Sequence, residues 1–283
     1  MSDREIATEL VTAPGVAHRC AEPVGYAPVL GPANAPLHDL SVGRLRLDRR
    51  LGVYSATTDD RETLLHILVG TCTIEAEGSW GRRAFAGLGD RRDVFSGLPT
   101  SLVLPPGTAY SVVPTSRTVD LALVSTPLAE DAGAPALIRP EDVNVHAIGE
   151  GYYERSVREV LGGDGPTARL RAGETINPVG RWSSWPHHDF HADPANAPLF
   201  EEVFLYFTKP RTGWGVQRRT GLFCDLSPVD DVTVVRNGDA AVMPLGDHPL
   251  VAGVDSEVLY VWFYVSPIAK TYARWAEDIG GYA

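Results

Sequence analysis

Three of the eight histidines in this 283-residue chain fall close together, and a carboxylate and a fourth histidine follow further on. His187, His188 and His191 stand in Trp185-Pro186-His187-His188-Asp189-Phe190-His191, Glu202 opens the apolar run that ends at Phe207, and His248 follows in Gly246-Asp247-His248-Pro249. Imidazoles with one carboxylate suit one borderline divalent ion such as Zn, Mn, Fe or Ni. The plain alternative is a polar loop whose histidines are unrelated. His18, His38, His66 and His146 are isolated and read as surface or satisfied core residues. Cys20, Cys72 and Cys224 form no Cys-x-x-Cys pair, so neither a disulfide framework nor a structural zinc site is signalled.

Such a set converges inside a small barrel, where inward side chains alternate with outward ones along each strand. The surrounding text is all-β. Segments such as 44–51, 63–69, 71–77, 101–104 and 118–125 are short, rich in Val, Leu, Ile and Thr, and separated by Gly, Pro and Asp. The second half repeats the texture at 168–174, 202–208, 215–220, 233–236, 240–244 and 258–265. A duplication is implied, and a sandwich or small barrel is preferred to an α/β fold. Residues 157–161 are expected to form a helical turn, and residues 1–30 an irregular arm with a short strand. Two turns echo each other: Leu104-Pro105-Pro106-Gly107 and Met243-Pro244-Leu245-Gly246 each end an apolar strand, and only the second is followed by a histidine. The metal is therefore expected in the second barrel alone. The domains expected are an arm over 1–30, an N-terminal barrel over 31–140 without a metal site, and a C-terminal barrel over 141–283 with one.

The formal charge of −11 argues against nucleic-acid and anionic-membrane partners, which rely on an excess of Lys and Arg. With no signal-like N-terminus and no long apolar run, a cytoplasmic protein is expected. No Gly-x-Gly-x-x-Gly nucleotide fingerprint occurs.

Several segments match one family in order and separation. They are Asp93-Val94-Phe95-Ser96-Gly97-Leu98-Pro99, Leu104 to Tyr110, Ile138 to Val143, Gly173-Glu174-Thr175, Gly180 to Ser184, and Gly213 to Arg218. On these residues the chain, from about 40 to 262, resembles the 5-deoxy-glucuronate isomerases of inositol catabolism. The resemblance implies a bicupin, two tandem jelly-roll barrels, with one divalent metal held in the C-terminal one. Carried over residue by residue, His188, Glu202 and His248 fall on ligand positions. The fourth position is occupied by Phe190, and the nearest imidazole is His191. On a regular strand His188 and His191 face opposite ways, so this set requires a β-bulge between them. The rival is an inward i, i+2 pair, His187 with Asp189 or Asp189 with His191. Pocket walls depart too, with Arg181 before Trp182 and Gly151-Tyr152-Tyr153-Glu154 in place of the usual residues.

The activity implied is aldose to ketose isomerisation of a deoxy-uronic acid such as 5-deoxy-glucuronate. Glu174 is the expected proton-shuttling base, with Gln217 and Arg218 as ligands for the sugar hydroxyls or carboxylate. An iron-dependent oxygenase and a non-catalytic sugar-binding cupin are the other classes, separated from the first by metal identity and metal occupancy. The partners expected are a small sugar acid and, through a sheet edge or barrel wall, a second copy in a homodimer.

Overall fold

The computed structural model describes residues 14–17, 24–129, 133–162, 165–184 and 198–265. Strands are numbered along the chain. A large sheet runs β11 (Ala136–Ile138), β8 (Thr100–Leu104), β5 (Arg61–Val69), β10 (Thr118–Pro127), β3 (Ser41–Asp48) and β2 (Gly25–Leu30). Facing it is a smaller sheet of β4 (Tyr54–Thr57), β9 (Ala109–Pro114), β6 (Cys72–Gly78) and β7 (Gly81–Leu88). The second half has the matching pair. Its large sheet runs β1 (Val16–Ala17), β19 (Ala240–Met243), β16 (Glu201–Lys209), β22 (Glu257–Val265), β14 (Leu170–Asn177), β13 (Arg155–Leu161) and β12 (Asn144–Ile148). Its smaller sheet runs β15 (Trp182–Ser183), β21 (Leu250–Ala252), β17 (Trp214–Leu222) and β18 (Pro228–Arg236), with β20 (Leu245–Asp247) also on β17.

The orders β8-β5-β10-β3-β2 and β19-β16-β22-β14-β13 are the same order in chain-equivalent strands, and so are β4-β9-β6-β7 and β15-β21-β17-β18. The duplication read from the text is thus a repeated sheet topology. The molecule is a bicupin.

Each large sheet is buried on both faces. Leu45, Leu47, Leu65, Ile67, Leu102, Leu104, Leu121 and Leu123 point into the first barrel, with Cys72, Ile74 and Val112 opposite. Alternate residues of the same strands, among them Val42, Leu64, Leu68, Val103 and Val124, point the other way. They pack on Leu170, Ala172, Val203, Leu205, Leu259, Val261 and Phe263 of the second half, so the two large sheets lie back to back over one apolar seam.

Residues 157–161 form part of strand β13 and no helical turn. The register on β14 shifts between Glu159 and Leu161, so Val157 faces the barrel interior while the bulge turns both Val160 and Leu161 to the seam. The adjacent apolar pair Val160-Leu161, which breaks the period of two, is therefore the trace of a bulged strand. Within the expected arm, β1 pairs with β19 and β2 with β3, so the arm adds a strand to each half.

Candidate functional site

The second barrel is lined by the other parity of its strands. Phe204 and Tyr206 of β16, and Tyr260, Trp262 and Tyr264 of β22, form its inner cluster with Met243 and Leu250. Phe204 stacks on Tyr260 with ring centroids 4.4 Å apart. Glu202, two residues before Phe204, shares this inward face and is buried. His248 arrives from the turn between β20 and β21, its Nε2 3.6 Å from Glu202 Oε2, its ring edge-on to Phe204 at 5.7 Å. That separation is too long for a hydrogen bond. It is the size of the gap, about 3.4 Å, between two ligands each ~2.1 Å from one tetrahedral ion. The two side chains therefore fit a shared divalent ion.

The turn that carries His248 is fixed from beneath by Gln217, a fully buried residue of β17. Its Nε2 donates to the backbone oxygens of His248 at 2.7 Å, Pro249 at 3.1 Å and Arg218 at 3.0 Å. Its Oε1 accepts from the Tyr206 hydroxyl at 3.0 Å. Burial raises the Tyr206 phenol well above its usual value, against the opposing pull of Arg219, so this hydroxyl keeps the proton it donates. The amide is thereby held in one orientation. Just ahead, Gly221 and Gly246 face each other across β17 and β20, both with positive φ, and a Cβ on Gly246 would sit 2.1 Å from the Thr220 oxygen. Only glycine allows that approach.

Gln217 is thus placed beside His248, but with its amide engaged by the backbone, which corrects its expected role as a sugar ligand. Arg218 is corrected as well. Gly215, Gln217 and Arg219 are the buried parity of β17, whereas Arg218 lies on the outer surface in an ion pair with Asp230.

Glu174 does not join this group. It lies on the seam face of β14 with Leu170 and Ala172, fully buried. Arg91 Nη1 donates to its two oxygens at 2.8 and 3.0 Å, Arg158 Nη1 at 3.0 Å, and His66 Nε2 stands 3.1 Å away. Burial by itself raises this carboxyl, but Arg91, the His66 hydrogen bond and Arg158 together outweigh it and bring it down to about 2. A carboxylate so held and so far from neutrality is a poor proton shuttle, and the expected base is corrected to a bond between the two halves. Desolvation lowers His66, with Glu174 opposing, so the ring is neutral. Its Nε2–H then donates to Glu174 while Nδ1 accepts from Ser101 Oγ at 2.8 Å. His66 is the satisfied core histidine expected.

His187, His188, Asp189, Phe190 and His191, with the bulge expected between them, lie outside the described residues, as does His18. Before them, β15 pairs Ser183 with Leu250, and Ser184 adopts φ +56°. Asn177 Nδ2 donates to Ser183 Oγ at 2.8 Å, and the Tyr260 hydroxyl donates to the same oxygen at 3.1 Å. The chain is thus anchored to the barrel's inner wall at Ser183, shortly before the three clustered histidines in sequence. Two departures from the family pattern also meet, since Arg181 lies over the Tyr152 ring and donates to the Gly151 oxygen.

A second group of donors, His38, Glu201 and Cys224, lies within 4.8 Å mutually. The Glu201 carboxylate is already engaged, accepting backbone N–H bonds from His38, Asp39 and Leu40 at 2.8 to 3.2 Å. Glu62 of β5, the counterpart strand of β16, does the same for the N–H groups of Ala168, Arg169 and Leu170 at 2.7 to 3.1 Å. The two glutamates are reciprocal clasps across the seam, each gripping the entry of the other half's first inner strand. Burial and nearby Glu201 push the Cys224 thiol up to about 12, so it is protonated and inert. The barrel pair fits an ion better.

The fold and this buried pair define a cupin-type barrel. Solved structures agree on the fold: an oxalate decarboxylase from Lactobacillus farciminis, solved as a formate complex, superposes with TM-score 0.58 at 11% identity over 94% of this chain and 91% of that one. The chain belongs to the KduI/IolB family, whose model matches residues 30–280. An IolB-like protein from Salmonella typhimurium LT2 superposes with TM-score 0.79 at 25% identity, covering 91% of this chain and 95% of that one. Among curated relatives, the 5-deoxy-glucuronate isomerase of Geobacillus kaustophilus is 31% identical over 75% of this chain and 74% of its own. That of Shouchella clausii is 28% identical over 79% of each.

Proposed function

We propose that the chain is a metal-dependent aldose–ketose isomerase acting on a deoxy-uronic acid such as 5-deoxy-glucuronate, with one divalent ion in the C-terminal barrel. The observation that carries this is the buried His248 imidazole 3.6 Å from the Glu202 carboxylate, inside the barrel whose strand β15 the three clustered histidines follow in sequence. Family membership and the names of the relatives support the reaction class. In this reading His188 and His191 complete the ligand set, and the chain divides near residue 140.

When bound, the ion supplies Lewis-acid polarisation of the substrate carbonyl. The protein's own part is positioning and exclusion of water. Gln217 and Tyr206 hold the His248 turn, and Phe204 walls His248 on one side. Glu202 is buried with Tyr264 opposite it on β22, and Phe204 and Tyr260 stack further along the same inward face.

The test is anaerobic turnover of 5-deoxy-glucuronate without added redox cofactor. Isomerisation that His248→Ala abolishes is the expected result. Turnover that requires oxygen, or no loss in His248→Ala, contradicts the proposal. Activity on another uronic acid alone keeps the mechanism and replaces the substrate.

A further inference from the structure

Strand β18 forms one edge of the second barrel's small sheet and, among the described residues, is hydrogen-bonded to β17 alone. Its nine residues pair with β17 from Pro228 to Arg236 without a register shift, so no bulge interrupts the edge. The side chains on its outer face are Pro228, Asp230, Val232, Val234 and Arg236, all exposed, Val232 at 61% and Val234 at 40%. Val234 pairs with Val216, Val216 with Val251 and Val251 with Trp182, so an apolar row crosses the sheet and ends at the free edge.

The equivalent edge of the first barrel is built differently. Strand β7 carries exposed Arg82 and Arg83, and its pairing with β6 is broken by a register shift between Cys72 and Ile74. Charges and bulges are how edges are kept from pairing. The first barrel's edge has both devices, whereas β18 has no bulge and carries Asp230 and Arg236 on either side of two central valines.

We propose that β18 is an interface between two copies of this chain, paired antiparallel about a two-fold axis at Thr233. Same-face residues meet across such an axis only when it passes through a residue position. Centred on Thr233, Val232 lies opposite Val234 of the second copy, and Asp230 opposite its Arg236. Centred on Val232, Asp230 faces an apolar valine. Centred on Val234, Val232 faces an arginine. Only the first register matches both the apolar and the charged positions, and it does so twice by symmetry. The two sheets then continue as one, and the apolar rows join across the axis. Arg218, already paired with Asp230 on the same face, borders the joint.

Sedimentation equilibrium of the full chain tests this. The wild type is expected at twice the chain mass, and Val232→Asp at the single-chain mass with an unchanged far-UV spectrum. Arg236→Asp alone is expected to shift the protein toward the single chain, and Arg236→Asp combined with Asp230→Arg to restore the double mass. A wild type that sediments as one chain, or a dimer unmoved by Val232→Asp, overturns the proposal. A charge swap that fails to restore the dimer overturns the register. Should Val232→Asp misfold, amide exchange of the wild type decides instead. Alternate amides between 229 and 235 are expected to gain protection with concentration, and concentration-independent exchange there overturns the interface.

Discussion

Glu174 and Gln217 show what a residue's type leaves open and its face decides. Both follow family-like motifs, but β14 is buried on both sides, so the alternation that would separate inward from outward is absent from its text. Gly173 and Thr175 take the barrel side and Glu174 the seam. Strand β17 alternates buried and half-buried residues, but Trp214 and Val216 share the parity of Arg218 while Gln217 and Arg219 are buried, so period two in the text points Arg218 inward and its outward position was not legible. Because the Glu174 carboxyl is depressed to about 2, its contribution is full above the ordinary carboxylate range and is lost as pH falls from about 4.5 toward 2. Glu174→Gln is expected to flatten that acid limb in urea unfolding, a difference on the order of 3 kcal/mol between pH 5 and pH 2. An unchanged limb would contradict the seam role. At Gln217, Gln217→Leu is expected to weaken metal binding roughly 10- to 100-fold by calorimetry, the usual effect of removing an outer-shell support. Gln217→Glu keeps an acceptor for Tyr206 but loses the donors to His248 and Pro249, and is expected to resemble the leucine variant.

At the scale of elements, the strand text was legible wherever turns punctuate it, and the helical turn expected at 157–161 failed where a bulge breaks the alternation of β13. The clasps were not legible. Glu62 and Glu201 bond to backbone N–H groups more than a hundred residues away, and no local pattern marks an acceptor of that kind. Each clasp is a set of charge-assisted hydrogen bonds, so Glu62→Gln and Glu201→Gln are each expected to lower stability by about 2 kcal/mol. A loss below the error of chemical denaturation in both would show that the clasps are incidental. Gly246→Ala brings a methyl against the Thr220 oxygen two residues before His248. It is expected to reduce metal affinity along with stability, whereas Gly107→Ala at the echoing turn, where nothing lies within 4 Å of the added carbon and only the φ of +71° is strained, is expected to leave metal affinity unchanged.

In the whole molecule, one repeated topology carries two different interiors. The first barrel is filled by leucines and other apolar side chains, and the second keeps an acid and an imidazole among aromatic walls. That asymmetry was visible in the text, where the two Pro-x-Gly turns differ by one histidine. The back-to-back seam was not, since it depends on which parity of each large-sheet strand faces the other half. With Phe263 buried in that seam beside His66, Phe263→Ala is expected to destabilise both halves together, by about 3 to 5 kcal/mol in a single transition. Two separated transitions would mean that the barrels unfold independently. Elemental analysis of protein purified without chelator tests most directly whether the second barrel alone holds a metal. One divalent ion per chain, lost in His248→Ala and kept in His66→Ala, is the predicted result; two ions per chain, none, or full occupancy in His248→Ala would contradict it.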